Sequence, residues 1–231
     1  MQMWKSICRK GALKRMMISP ECYYDLYLRG KTKEEIASEI KKLKRDISDL
    51  KKVLEDPLVY ETAVIYPAPQ TQLWYSLEYL DKAVKAYEDA GGIYVPAKGE
   101  QRAAAFNELI PQITKITYET GGFSQGLTIR TIQIHSDCVT VSADRRFSDA
   151  PGYEEQISMS KEEFLNQLRK IRIGEWKHHY EQQYICDGTQ WRIVIEYIGN
   201  HKPAVYEGDN AFPFSFELFR DLAGEYDDAE K

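Results

Sequence analysis

The spacing of apolar residues changes partway along this chain, and that change limits the folds open to it. Between Ile36 and Leu54 the apolar positions fall at Ile36, Ile40, Leu43, Ile47, Leu50 and Leu54, in alternating steps of four and three. Leu73, Leu77, Leu80, Val84 and Tyr87 keep the same rhythm. Both runs predict helices with one apolar stripe. From Ile113 onward the period falls to two, as in Lys115-Ile116-Thr117-Tyr118 and Thr128-Ile129-Arg130-Thr131-Ile132-Gln133-Ile134. Alternation of that kind predicts strands with one face buried. Helices followed by strands make an α+β fold.

Local signals set the boundaries. Ser19-Pro20-Glu21 opens a helix that runs through Tyr23, Tyr24 and Tyr27 and stops at Gly30. Thr32 and Glu35 form a capping box for the next helix, which Asp56-Pro57 ends. An extended stretch from Val59 to Tyr66 leads to a helix starting near Thr71 and closed by Gly91-Gly92. Residues 100–110 read as a short helix before Pro111. Two matching seams predict an antiparallel helix pair. Self-association of two chains through the Ile36–Leu54 seam is the other way to bury it.

In the second half, His135-Ser136-Asp137 reads as a turn between strands and Val139-Thr140-Val141 as the continuation of a β-meander. After a break at Pro151-Gly152, Ser160 and Glu163 cap a helix over Lys161–Ile171. Gln183-Tyr184-Ile185 runs into a turn at Cys186-Asp187-Gly188-Thr189, and Asp-Gly is a hairpin signal. Trp191, Ile193, Ile195 and Tyr197 then alternate with polar neighbours, Ala204-Val205-Tyr206 is a further strand, and Phe214–Leu222 is a closing helix. Residues 112–171 and 176–222 thus share a strand-strand-helix order, readable as a diverged duplication or as two arrivals at one common unit. The expected organisation is a basic extension over 1–18, a helical part over 19–110, an antiparallel β-rich part with two packed helices over 111–224, and an acidic tail over 225–231. Residues 1–16 are expected to be dispensable for folding.

Composition narrows the function classes. Apolar residues are 43% and charged residues 29%, so the chain is expected to fold rather than stay disordered. Its apolar runs are too short for a membrane span, and its first residues have no sustained apolar core of a signal peptide. Cys8, Cys22, Cys138 and Cys186 are scattered, which fits free thiols in a reducing, cytoplasmic setting. Residues 1–52 hold 14 Lys and Arg against 7 Asp and Glu, whereas residues 53–231 hold 17 against 29. The chain is therefore basic at its start and acidic over its body, a polarity that steers charged partners.

No catalytic, cofactor or metal motif stands out. His135-Ser136-Asp137-Cys138 gathers a base, a nucleophile, a carboxylate and a thiol, but neighbours on an extended chain point apart and turns recruit Ser and Asp for their own reasons. A hydrolase built on Ser136, His135 and Cys138 is the lowest-ranked reading. Cys186 with His178, His179 and His201 matches no usual zinc spacing. The stretches Gly91-Gly92 and Gly121-Gly122-Phe123-Ser124-Gln125-Gly126 match no phosphate-binding loop, and the second reads as a hairpin loop. Lys41, Lys42, Lys44, Arg45, Lys51 and Lys52, joined by Arg9, Lys10, Lys14 and Arg15, could contact nucleic-acid phosphates, although Glu34, Glu35, Glu39, Asp46 and Asp49 share the helix.

The last third carries Gly174-x-Trp176, the string Asp187-Gly188-Thr189-Gln190-Trp191 with its Ile-Val-Ile-Glu-Tyr strand, and Gly208-x-Asn210-Ala211-Phe212-Pro213. In these residues it resembles a C-terminal module of uncharacterised proteins from Gram-positive bacteria, phages and their mobile elements. That resemblance implies a bacterial or phage context, in a host cytoplasm, and supplies no catalytic residues. The leading expectation is a non-enzymatic protein-interaction module, in its sharpest form an inhibitor of a nucleic-acid-bound effector such as a CRISPR-Cas nuclease, whose basic groove an acidic body would occupy. Nucleic-acid binding through the basic helices is the runner-up. Trp191 is expected to anchor the sheet, with Phe212, Phe216 and Phe219 packing back on it.

Overall fold

The computed structural model describes residues 17–56, 66–122, 126–147, 153–182 and 188–225, the side chains of 153–158 excepted. The fold is α+β: helices come first, and a seven-stranded, mostly antiparallel sheet follows with two helices interleaved. The chain divides between Val95 and Pro96 into two compact units.

In the first unit α1 spans Pro20–Tyr27, and the Cys22 N–H donates to Ser19 Oγ at 3.2 Å, as the cap signal implies. Helix α2 spans Lys33–Leu54 and opens on the expected box, with Glu35 N donating to Thr32 Oγ1 at 3.3 Å and Thr32 N to Glu35 Oε2 at 2.9 Å. Helix α3 spans Pro69–Asp89 and so begins two residues before Thr71, because Pro69 fits the first helical turn. Ile36, Ile40 and Leu43 of α2 bury with Tyr79, Ala83 and Ala86 of α3. The first half of one helix meets the second half of the other, so the pair is antiparallel and the seam is filled within the unit. The buried stripe departs from the heptad reading. Val53 is buried while Leu50 and Leu54 are half-buried, since a straight helix drifts against a seven-residue repeat. On α3, Ala83 and Ala86 take the buried places expected of Leu80, Val84 and Tyr87, because small residues let the helices approach. Tyr79 also stacks on Tyr23 at 4.0 Å between ring centroids and donates from Oη to Ile18 O at 2.6 Å, which ties α1 to α3.

The second unit opens with α4 (Lys98–Leu109), which sequence alone grouped with the helical part. It packs on a short turn at Ile173–Glu175: Gly174 leaves no room for a Cβ beside Ala103 and Phe106, and Arg102 Nη2 donates to Trp176 O at 3.0 Å. The strands are β1 (Ile113–Gly122), β2 (Gly126–Ile134), β3 (Cys138–Arg146), β4 (Tyr153–Ser160), β5 (His179–Glu181), β6 (Gln190–Tyr197) and β7 (Ala204–Asp209), in the order β4-β3-β2-β1-β6-β7-β5. Helix α5 (Lys161–Ile171) follows β4, and α6 (Phe216–Leu222) follows β7, two residues later than its expected start at Phe214. The meander is as expected, with β4 as an added outer strand. The expected hairpin differs. Residues 183–187 lie outside those described, and the strand before them, β5, pairs in parallel with β7 rather than with β6. The two halves of the sequence therefore build one sheet, joined where β1 meets β6.

Alternation sorts the sheet into two faces. Ile132, Ile116, Tyr118, Trp191, Ile193 and Tyr206 are buried on one, where Trp176, Phe164, Leu168, Phe216 and Phe219 also lie in the core. Trp191 sits here as expected, 3% exposed, its ring 4.6 Å from Phe216 and 6.4 Å from Phe212 between centroids. The opposite face carries Thr117, Glu119, Leu127, Ile129, Thr131, Arg192, Val194, Val205 and Glu207, all half-buried or exposed.

Candidate functional site

A cleft of about 780 Å³ opens at one end of that second face. Its floor follows from glycine. A Cβ on Gly121 would overlap the Gly126 carbonyl, and one on Gly122 would come within 2.9 Å of Gly188 O. Gly126 has φ +73°, a left-handed conformation that costs other residues about 1–2 kcal/mol. The backbones of β1, β2 and the start of β6 thus approach closely, and no side chain rises between them. The expected hairpin loop over 121–126 is in part strand: β1 runs through Gly122 and β2 starts at Gly126, with 123–125 outside the described residues.

Strand register arranges the walls. Glu119, Arg192, Glu207 and His179 stand in one row across β1, β6, β7 and β5. Arg192 Nε lies 4.0 Å from Glu207 Oε2, and His179 Nδ1 lies 3.5 Å from Glu207 Oε1. The next row outward runs Gly121, Gln190, Asp209 and Glu181. Asp209 Oδ1 accepts from Asn210 Nδ2 at 2.7 Å. His179 Nε2 reaches Glu181 Oε2 at 3.8 Å. Leu127 and Phe147 form the far rim. Phe147 is 91% exposed and has φ +61°, so the chain holds an aromatic ring in solvent on a backbone conformation that disfavours it.

The residues singled out by sequence fall elsewhere. Among the described residues, the His135–Cys138 string makes a tight turn in which His135 Nε2 lies 3.1 Å from Thr140 Oγ1 and Ser136 Oγ donates to Asp137 Oδ1 at 3.1 Å. Base and nucleophile thus bond to other partners, and no relay joins them. Ser136 and Asp137 instead border a smaller hollow of about 440 Å³ beside the start of α5. His178 Nδ1 lies 2.9 Å from Val205 O, and His201 meets Tyr197 edge-on, apart from His179. Cys186 lies outside the described residues, within which no three His, Cys, Asp or Glu side chains gather as metal ligands. Cys22 and Cys138 are free thiols, and no helix among the described residues is long and apolar enough to cross a membrane.

The basic helix is only partly available. Lys42 pairs with Glu39 at 4.0 Å, Lys52 with Asp49 at 3.1 Å, and Lys44 lies over the Tyr94 ring at 4.8 Å. Lys51 is half-buried, whereas Lys41 and Arg45 are exposed one helical turn apart. Arg9, Lys10, Lys14 and Arg15 lie outside the described residues.

Sequence reasoning missed Glu119, Arg192, Glu207 and Asp209. Each sits at an outward position of an alternating strand, but only cross-strand register makes a group of them. Two glycines beside the cleft have structural roles. Gly188 leaves space for the Asn210 side chain, and Gly208 leaves space for Trp191. Comparison with protein-family models, with curated proteins and with solved structures finds no match.

Proposed function

We propose that the chain is a non-enzymatic protein-interaction module that receives its partner on the exposed sheet face, around the glycine-floored cleft. The observation that carries this reading is Phe147: a large ring, 91% exposed, held in left-handed backbone at the rim of a concave charged surface. Aromatic residues, Phe among them, are enriched in protein interfaces relative to the rest of the surface. The sharper version of the proposal is an inhibitor of a nucleic-acid-bound effector, such as a CRISPR-Cas nuclease, acting in the cytoplasm of a bacterial or phage-infected cell. The excess of Asp and Glu over residues 53–231 supports it, as such a surface complements a groove built for nucleic acid.

The test is affinity capture from bacterial lysate with the tagged wild type and with Phe147→Ser, each with and without nuclease. A protein partner that survives nuclease and is lost with Phe147→Ser is the expected result. Partners that need nucleic acid to be recovered, or that ignore the Phe147 change, would overturn the reading.

A further inference from the structure

We infer that the cleft takes an arginine-bearing extended segment of the partner, with guanidinium groups seated on the carboxylates of β5 and β7. This rests on the reading above and names the chemistry of the occupant. Glu181 stands directly across from Asp209 in the parallel pairing of β5 with β7, and Glu207 lies two residues before Asp209 on the same side of its strand. Like charges placed opposite each other destabilise a sheet. Glu207 and Asp209 line the cleft, and with Glu181 beside Asp209 on the neighbouring strand they hold a charge arrangement that a bound cation completes. Glu119 adds a fourth carboxylate across the floor, against Arg192 and His179.

Shape agrees with charge. Alternate side chains of a strand stand roughly 6.5–7 Å apart, so an extended segment laid along β7 presents side chains at the spacing of Glu207 and Asp209. Gly121 and Gly122 raise no side chain from the floor against an arginine stem, and a guanidinium both stacks on an aromatic ring such as Phe147 and bonds a carboxylate in bidentate fashion. An acidic peptide or a nucleic-acid strand would meet these carboxylates with repulsion.

The experiment is fluorescence anisotropy of fluorescein-labelled nona-arginine with the full chain near physiological salt, beside thermal unfolding of each variant. In the double variant Glu181→Gln/Asp209→Asn the dissociation constant should rise at least tenfold while the melting temperature holds or rises, because the repulsion is gone. The control variant Glu78→Gln/Glu88→Gln, on the exposed side of α3, should change affinity by less than twofold. Equal weakening in both pairs would mean general charge attraction and would overturn the inference, as would an absence of saturable binding. Capture of a partner that depends on Phe147, without nona-arginine binding, would sink the cationic occupant and leave the interaction reading standing. Nona-arginine binding that depends on Glu181 and Asp209, without such capture, would do the reverse.

Discussion

The Trp191 indole lies over Gly208, its partner across β6 and β7, so closely that a Cβ on Gly208 would collide with the ring. The same indole donates from Nε1 to Ala211 O at 2.9 Å in the buried interior. Ring, glycine and carbonyl form one fixed arrangement beneath the cleft. Gly208→Ala should therefore destabilise the protein by about 1–3 kcal/mol through overpacking. Trp191→Ala should cost about 3–5 kcal/mol by removing a large buried ring. Denaturant titration measures both, and an unchanged midpoint for either would refute the placement.

A second prediction concerns Arg130, which is buried at 7% exposure on the covered face of β2. Its Nη1 lies 3.6 Å from Glu225 Oε1, and its Nε has no hydrogen-bond partner among the described residues. Glu225 also accepts from Tyr118 Oη at 2.7 Å and from Arg220 Nε at 3.0 Å. Removing the carboxylate leaves a buried guanidinium uncompensated, so Glu225→Gln should cost about 3 kcal/mol. Adding Arg130→Met should recover most of that loss, because an apolar side chain of similar length needs no counter-charge. A double variant no more stable than Glu225→Gln would show that Arg130 is not where the cost arises.

Stability should fall in alkali. Burial raises the phenols of Tyr118 and Tyr206 well above their usual range, with Glu225 adding to the effect at Tyr118, and burial pushes Tyr197 up to about 12. An unfolded tyrosine releases its proton near pH ~10, while these keep theirs in the folded state. Between those limits the folded protein binds more protons than the unfolded chain, so unfolding becomes easier as pH rises. The slope approaches about 1.4 kcal/mol per pH unit for each fully shifted group. Below pH ~10 the three have no such effect. Unfolding midpoints between pH 8 and 11.5 measure this, and Tyr206→Phe should flatten the alkaline decline. An equal decline in the variant would refute it.

The basic helix makes a prediction of its own. With Lys42 and Lys52 paired and Lys44 over Tyr94, exposed Lys41 and Arg45 are the cations on α2 best placed for phosphate. Two phosphate contacts give a log–log salt slope of about −2 on duplex DNA. Filter binding across a salt series should find weak affinity with a slope no steeper than that. A slope beyond about −4, abolished by charge reversal at Lys41, Lys42, Lys44 and Arg45, would favour nucleic-acid binding over the interaction reading.

Much of the fold was legible because its signals are local. The Ser19 and Thr32 caps, the meander and the helix over Lys161–Ile171 each depend on residues close in sequence. The stripe on α3 was less so, since Ala83 and Ala86 carry little hydrophobic signal and are buried because a facing helix needs space there. β4 lay hidden in Tyr153-Glu154-Glu155-Gln156, which is polar and lacks the alternation of a half-buried strand. The cleft was not legible at all. Its glycines read as a loop, and its charged side chains come from β1, β5, β6 and β7, which only the completed sheet brings side by side.

The meeting of β1 with β6 has a further consequence, for how the chain reaches its native state. β1 to β4 follow one another and can zip up by short closures, but the other edge of β1 waits for a strand made only after β2, β3, β4 and α5. Contacts between distant segments form slowly. During synthesis the ribosome therefore releases a half-sheet whose Ile116 and Tyr118 edge is unpaired until β6 emerges. That interval is when the chain is most exposed to mispairing with its own copies, and when a chaperone would matter most.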